Sequence, residues 1–256
     1  MIPSSKWSLH KFFSRNPAIR RYLPPTSLFH RSSLEEYVNR YGSVYIKPSS
    51  KHMGKGIIKV WKTANGYRYV RERGEPAEAS TWEQLYQQIE PHTSSARHII
   101  QKGIDLAEVR GRPFDIRVMM MRDGNKEWRY AGMLAKVAGA RSIITNVARG
   151  GGHVLKVSQA IKQSGTIDPG RTRALIRHMI RLSHQVCRHF NRYKYSAQIG
   201  IDYAVDKKGN LSIIEVNFDF PSHGLFAKLP DLTYYHRIKR LARQHRWRVK
   251  RRPKRS

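Results

Sequence analysis

Two acidic residues and an amide lie close together in the run IGIDYAVDKKGNLSIIEVN, at Asp202, Glu215 and Asn217. Residues 207–210 have the composition of a four-residue hairpin loop between two apolar strands. If the residues that flank this loop pair with each other, Asp202 faces Glu215, and Glu215 shares a strand face with Asn217. Opposed carboxylates repel each other, whereas Mg²⁺ prefers such a set of oxygen ligands. The alternative is that the acids pair with some of the many Arg and Lys side chains.

A loop rich in serine and glycine, PSSKHMGKG, follows Lys47 between two predicted strands. Exposed backbone amides in such a loop can bind phosphate oxygens, and a lysine at the strand end adds a positive charge. The loop is not a Walker A motif, because Gly56 follows Gly54-Lys55 where that motif has Ser or Thr. The alternative is an ordinary hairpin loop.

Three further groups of polar residues stand next to strands or glycines. Asp115 and Arg117 share one face of a predicted strand, since strand side chains alternate. Lys136 ends another strand, and Asn146 and Arg149 lead into three glycines. Taken singly, each group is also consistent with a surface strand or a loop.

The elements that position these residues follow from hydrophobic periodicity. The predicted helices cover part of residues 1–24, residues 33–41, a segment that Ser80 and Glu83 open as a capping box, and a long segment after Asp168-Pro169. The predicted strands cover residues 44–47, 57–61, 97–101, 114–122, 127–137, 199–205 and 211–218. Hairpins alternating with single helices predict an α+β fold with antiparallel sheets rather than a doubly wound parallel sheet.

The composition excludes several classes of protein. The chain has 256 residues, and a 39% hydrophobic fraction argues against global disorder. A single cysteine, Cys187, excludes an intramolecular disulfide and a zinc site built from cysteines, and its place beside an apolar helix stripe predicts a core residue. The sequence contains neither a signal-peptide core nor a stretch of about 20 apolar residues. A soluble, cytoplasmic protein is therefore expected.

The chain is strongly basic, with 49 Lys and Arg against 18 Asp and Glu and a formal net charge of +31. Residues 237–256 hold 11 of these cations and no acid. Such a run indicates either a solvated charged terminus or a binding segment for nucleic acid or another acidic polymer.

Together, the segments KPSSKHMGKGI, QKGIDLA, FDIRV, TNVARGGG and IGIDYAVDKKGNLSIIEVN resemble the ATP-grasp fold. Within that fold, the chain is most similar to the YheC/YheD family, which is described as endospore coat-associated. The resemblance runs from about Lys6 to Pro221. It implies two antiparallel-sheet subdomains with ATP in the cleft between them.

The resemblance also implies roles in nucleotide binding. Lys47 is expected at the α- and β-phosphates, residues 49–56 as a lid, and residues 100–104 as the hinge that holds adenine. Asp105 is the candidate for the ribose hydroxyls, and Lys6 or Lys11 is a candidate for a further phosphate contact. The other nucleotide-binding candidates are Ser49, Ser50, Gly54, Gly56, Gln101, Lys102, Gly103 and Ile104.

The family pattern places two Mg²⁺ ions on the acidic hairpin and assigns cations to the transferred phosphate. Asp202, Glu215 and Asn217 are the expected metal ligands, with Glu215 bridging the two ions. The candidates that face the γ-phosphate and the developing negative charge are Arg117, Lys136, Asn146 and Arg149.

The resulting functional hypothesis is an ATP-dependent ligase that joins a carboxylate to an amine or similar nucleophile through an acyl phosphate. The alternative is a non-catalytic component of the spore coat or nucleoid that binds ATP or a polyanion. The predicted organisation is an N-terminal helical segment (1–24), two subdomains (25–105 and 106–236) and a basic tail (237–256). The sequence identifies neither the carboxylate nor the oligomeric state.

Overall fold

The structure is a computed structural model that describes residues 5–50, 55–140, 142–143, 145, 147, 151–218 and 221–250, with side chains up to 245. The helices are α1 (Lys6–Ser14), α2 (Pro17–Arg20), α3 (Arg31–Tyr41), α4 (Trp82–Thr93), α5 (Val157–Ser164), α6 (Pro169–Phe190) and α7 (Thr233–Lys250), with a 3₁₀ helix at Gly224–Lys228. The strands are β1 (Thr26–Leu28), β2 (Ser43–Pro48), β3 (Ile58–Thr63), β4 (Gly66–Arg71), β5 (Ala77–Ala79), β6 (His98–Lys102), β7 (Glu108–Val109), β8 (Arg112–Arg122), β9 (Trp128–Val137), β10 (His153–Leu155), β11 (Gln198–Val205) and β12 (Leu211–Asn217).

The first sheet has the strand order β1-β6-β2-β3-β4-β5, and all its neighbouring strands are antiparallel. Helices α3 and α4 cover one face, where Leu34 and Leu85 pack against Val44, Ile46 and Ile100. Because strand side chains alternate, the neighbours Tyr45 and Lys47 project to the uncovered face. This face forms one wall of a cleft.

The second sheet has the order β10-β9-β8-β11-β12, with β7 paired to β8, and is also antiparallel. The predicted α+β fold with two antiparallel sheets is therefore confirmed. One face carries α5 and α6, whose buried residues include Met179 and Phe190. As predicted, Asp168 caps α6 with its side chain, Pro169 is the first residue of the helix, and Cys187 is buried.

The N-terminal helices α1 and α2 pack on the core of the second sheet. Leu9, Phe13 and Ile19 belong to the same buried cluster as α6, and the ring of Phe12 lies 4.4 Å from that of His189. The N-terminal residues are therefore fixed near the second sheet by apolar burial.

Helix α7 covers part of the opposite face of the second sheet, where Ile238 and Leu241 are buried. Gly132 of β9 lets the helix approach, since a Cβ there would lie 2.5 Å from the ring of Tyr234. The tail boundary predicted at residue 237 thus falls inside a packed helix, because apolar residues at helical spacing interrupt the basic run.

The predicted start of α4 is wrong by one residue. Thr81, not Ser80, is the N-cap, and its side chain accepts a hydrogen bond from the backbone of Gln84. The Gln84 side chain accepts in turn from the Ser80 backbone. Among the residues that the structure describes, no helix is both long and apolar enough to span a membrane.

Candidate functional site

Asp202 and Glu215 are directly paired across β11 and β12, as the sequence predicts. The hairpin itself differs from the prediction, because Val205 rather than Asp206 pairs with Leu211, so the loop has an additional residue. A β-bulge between Asp202 and Tyr203 shifts the register back by one residue. The bulge therefore restores the opposition of the two carboxylates that a regular hairpin with this loop would lose.

Buried cations surround Asp202. The Arg117 guanidinium donates to both carboxylate oxygens, with Nε–Oδ1 and Nη2–Oδ2 distances of 2.5 and 2.8 Å. The Nζ atom of Lys136 lies 3.2 Å from Asp202 and 3.0 Å from Asp115. Asp115 also accepts a hydrogen bond from Thr145. Strands β8 and β9, whose polar residues form separate groups in the sequence, thus join the acidic hairpin in one buried network.

The pKa values of the two buried aspartates, Asp115 and Asp202, are shifted in opposite directions. Burial raises the pKa of Asp115 to about 6, because Lys136 and the hydroxyl of Thr145 offset only part of the desolvation and Asp202 adds repulsion. Burial acts on Asp202 as well, but Arg117 and Lys136 outweigh it and lower its pKa to about 2. Asp202 is therefore the carboxylate held firmly in its ionised form.

Lys47 brings a buried cation from the first sheet into the cleft. Its Nζ donates to Gln101 at 2.6 Å, and Gln101 donates to Thr26 at 2.9 Å. Burial lowers the pKa of Lys47 to about 8, although the nearby charges of Glu215 and Asp202 favour the ammonium form. The predicted hinge residue Gln101 thus orients Lys47 with its side chain.

Lys6 at the start of α1 completes the cation set. Its Nζ lies 3.2 Å from Glu215, and its backbone N–H donates to the carbonyl of Ser49 at 2.8 Å. Lys11, the alternative from the sequence, lies over the ring of Trp7 at 5.7 Å. Tertiary packing of α1 thus selects Lys6, because it places only the first turn of the helix at the acidic hairpin.

The loop after β2 contributes a serine with an unusual environment. The hydroxyl of Ser49 is buried and has no hydrogen-bond partner among the described residues, whereas Ser50 is exposed. A buried unpaired hydroxyl beside cations is the chemistry that a phosphate oxygen would satisfy. The candidate Gly54 lies outside the described residues.

Glu72, which the sequence analysis missed, connects the end of this loop with a second loop. Its backbone has a left-handed φ of 53°, and its side chain accepts a hydrogen bond from Gly56 at 2.7 Å. Its carbonyl accepts from the backbone N–H of Ile143. Glu72 therefore ties the predicted lid to the segment that leads to Asn146 and Arg149, and both of these candidates lie outside the described residues.

The predicted hinge, residues 100–104, comprises the end of β6 and the two residues after it. Gly103 donates its N–H to the Ser43 carbonyl at 2.8 Å, and a Cβ at Gly103 would lie 2.8 Å from that oxygen, so the close approach requires glycine. Lys102 is exposed and lies over the ring of Tyr41 at 5.4 Å, and Ile104 is half-buried.

The candidate ribose contact Asp105 is exposed at the mouth of the cleft. Lys207, in the β11–β12 loop, lies 3.1 Å from Asp105 and 3.2 Å from Glu108. Glu108 therefore lies near Asp105 and is a second candidate for this contact. The sequence analysis missed it because the proximity depends on the hairpin loop folding back.

The donor set fits a magnesium–nucleotide complex better than a metal bound by protein alone. Within the described part of the chain, no three His, Cys, Asp or Glu side chains gather into a metal-binding group. Asp202, Glu215 and Asn217 supply oxygens on one face of the hairpin, with the Asn217 amide 3.3 Å from Asp202. The remaining ligands would have to come from phosphates or water, as Mg²⁺ commonly requires.

A protein-family model described as YheC/D like ATP-grasp matches residues 3–244. A curated relative, the endospore coat-associated protein YheD of Bacillus subtilis (strain 168), is 25% identical over 232 residues. The match covers 87% of this chain and 49% of the relative, so the chain spans about half the length of that protein.

Solved structures of ATP-grasp ligases have the same fold. D-alanyl-alanine synthetase A from Vibrio cholerae O1 biovar eltor matches with a TM-score of 0.54 and 12% identity, over 93% of this chain and 60% of that one. The ATP-grasp ligase PsnB, complexed with a phosphomimetic variant of minimal precursor, Mg and ADP, matches with a TM-score of 0.51 and 12% identity. That match covers 93% of this chain and 58% of PsnB. At this identity the likeness shows the fold alone.

Proposed function

The chain belongs to the YheC/D-like ATP-grasp family, and from this membership we propose that it binds Mg·ATP in the cleft and activates a carboxylate. The observation that carries the proposal is the position of Lys47. This lysine is buried on the first sheet, yet it faces the paired carboxylates of the second sheet. An anion that bridges the two sheets would stabilise its charged form, and a metal-bound triphosphate is such an anion.

In this proposal the cleft residues bind the nucleotide and its metal ion. Lys6, Lys47 and the Ser49 hydroxyl bind phosphate oxygens, residues 100–104 hold the adenine, and Asp105 or Glu108 contacts the ribose. Asp202, Glu215 and Asn217 hold Mg²⁺, with Glu215 the more available ligand because it is partly exposed and its ion pair among the described residues is with Lys6. When bound, Mg²⁺ neutralises phosphate charge.

The cations on the second sheet act on the transferred phosphoryl group. Arg117 and Lys136 are fixed by Asp202 and Asp115, so their charges are already oriented and need little reorganisation. Asn146 and Arg149 belong to the same group on the basis of the family pattern. These residues position and neutralise charge, and the reaction needs no covalent nucleophile from the protein.

The proposed chemistry has two steps. A substrate carboxylate oxygen attacks the γ-phosphorus of ATP, the bond to the β-phosphate oxygen breaks, and an acyl phosphate and ADP form. An amine or similar nucleophile then attacks the acyl carbon, phosphate leaves, and the amine loses a proton as the amide forms. Both steps conserve atoms and charge without a redox partner.

Trapping the acyl phosphate tests this function. The 256-residue chain is incubated with Mg·ATP, a mixed extract of small carboxylates and hydroxylamine, and hydroxamates and ADP are measured by mass spectrometry. We expect hydroxamate formation matched by ADP, its loss in Glu215→Gln, and its retention in Glu127→Gln, which changes an exposed glutamate outside the cleft. ADP release without hydroxamate, or equal activity in Glu215→Gln, would contradict the proposal.

A second candidate function is a non-catalytic component of the spore coat or nucleoid that binds ATP or an acidic polymer through residues 237–256. The observation that favours it is the basic composition of this segment, and the named coat association of YheD gives the context. Nucleotide binding with no turnover under any carboxylate tested would support this candidate over the ligase.

A further inference from the structure

Helix α6 carries a stripe of arginines on the side opposite its buried face. Arg173, Arg177, Arg181 and Arg188 are all exposed. At 3.6 residues per turn, these four positions fall within about 80° of the helix circumference and extend over about 22 Å. We call this surface the α6 arginine face.

The fold does not account for this arrangement. The 22 residues of α6 contain no acid, and none of the four arginines forms an ion pair with an acidic side chain among the residues that the structure describes. Like charges at i and i+4 destabilise an isolated helix, while Met179, Leu182 and Val186 on the other side supply the packing. The stripe therefore opposes helix stability and needs another reason.

A residue from a different element extends the cationic surface. The ring of Tyr22 lies 5.5 Å from that of His178 on α6. Burial lowers the pKa of His178, and the charges of Arg181 and Arg21 lower it further. The chain after α2 thus adds Arg21 beside the stripe, and tertiary packing concentrates positive charge there.

The α6 arginine face is separate from the nucleotide cleft. Ile116 and Val118 of β8 pack in the cluster under α6, whereas Asp115 and Arg117 project from the other face of the same strand. Since the sheet lies between them, the stripe does not contribute to the binding of ATP phosphates.

The chemistry of the surface indicates what it binds. Large apolar side chains exposed among the described residues are Tyr195 and Leu232, and neither lies on α6. A protein interface usually has an apolar centre, whereas surfaces that bind nucleic acid are polar and positively charged. Guanidinium groups suit phosphates because they donate two parallel hydrogen bonds, and arginines one turn apart repeat about every 6 Å along the helix.

We propose that the α6 arginine face binds the phosphate backbone of double-stranded nucleic acid without reading its sequence. The four side chains contact successive phosphates, and the released counterions make the affinity dependent on salt. This interaction is independent of the proposed ligase activity, because it uses the opposite face of the sheet.

Salt-dependent binding of a labelled 20-base-pair duplex of mixed sequence to the full-length protein tests the proposal. The variant R173Q/R177Q/R181Q/R188Q is compared with R40Q/K62Q/R68Q/R71Q, which removes the same charge from exposed positions around the first sheet. In fluorescence anisotropy titrations between 50 and 300 mM KCl, we expect the α6 variant to bind at least tenfold more weakly. The slope of log K against log salt should fall by about 3 to 4, while the control variant changes it by about 1 or less.

Three results would overturn the proposal. The first is that the wild type does not bind the duplex at 50 mM KCl, and the second is that both variants lose the same affinity for it. The third is that the α6 substitutions weaken binding to poly-glutamate, or to vesicles of anionic phospholipid, as much as they weaken binding to the duplex. Thermal melting with and without Mg·ATP shows that the α6 variant is folded and separates this test from the nucleotide site. Glutamine is a good helix former, so the variant should melt no lower than the wild type.

Discussion

Asp202 lies opposite Glu215 across a hairpin whose loop is one residue longer than the sequence predicts, and a bulge beside Asp202 restores the pairing. The two carboxylates do not repel freely, since Arg117 and Lys136 neutralise Asp202 while Lys6 pairs with Glu215. The paired carboxylates are thus held by cations from three different elements, β8, β9 and α1. A magnesium–nucleotide complex would have to exchange with part of this network.

Replacing Glu215 with Gln should weaken Mg·ATP binding by about tenfold or more, because it removes one of the two carboxylates available to the metal. The melting temperature of the apo protein should change little, since the Lys6–Glu215 pair is only partly buried. The measurement is thermal denaturation with and without Mg·ATP for the wild type, Glu215→Gln and Glu127→Gln. A full Mg·ATP-induced shift in Glu215→Gln would show that this carboxylate holds no metal.

The affinity for Mg·ATP should fall as pH rises through about 8, the lowered pKa of Lys47 in the apo protein. Above that pH the apo lysine is neutral, so binding a phosphate must also take up a proton. Titrations between pH 7.5 and 9.5 should show a loss approaching tenfold per unit in the wild type. Lys47→Arg keeps its charge over this range, so a similar slope in that variant would exclude Lys47 as the titrating group.

The same lysine should influence apo stability in the opposite direction. Between about pH 8 and 10.5, Lys47 binds more protons in the unfolded chain than in the folded chain. The contribution of Lys47 to the free energy of unfolding therefore rises with pH in this range. Denaturant unfolding of wild type and Lys47→Met across this window measures the difference. If the free energy of unfolding of Lys47→Met increased with pH relative to that of the wild type, this result would contradict the lowered pKa of Lys47.

Replacing Arg117 with Ala should destabilise the protein by about 3–5 kcal/mol, because it leaves a buried carboxylate with Lys136 as its remaining strong partner. Asp202→Asn should also be destabilising, but the double variant should lose less than the sum of the two. A double-mutant cycle by urea denaturation measures this coupling. Strictly additive losses would mean that the guanidinium and the carboxylate do not stabilise each other.

Truncation of the C-terminal segment should have effects that depend on the cut site. Deleting residues 246–256 should leave the melting temperature and Mg·ATP binding nearly unchanged while weakening polyanion binding. Deleting residues 237–256 should lower stability by several kcal/mol, since it removes the buried Ile238 and Leu241. Melting curves of the two truncated proteins provide the comparison, and equal stability would show that α7 adds nothing to the core.

The sequence by itself determined most of the local structure. The hairpin strands around residues 44–61, 114–137 and 199–217 were predictable because alternating apolar residues and turn residues act over short distances. The same was true of α6, where Asp168 and Pro169 mark the start of the helix. The hairpin register also predicted that Asp202 and Glu215 would be opposed, although the loop length assumed for the hairpin was wrong.

Only the tertiary structure decided which of these residues meet. Lys6 reaches Glu215 because α1 packs on the second sheet, and no local pattern encodes a contact between residues so distant in sequence. Glu72 and Glu108 join the site through loops that fold back onto other strands. Local periodicity fixes which face of a strand a side chain occupies, whereas the packing of helices and sheets fixes what that face contacts. The α6 arginine face shows the same difference between local pattern and packing. The sequence determines the spacing of its arginines, whereas the fold determines that they are exposed opposite a buried core.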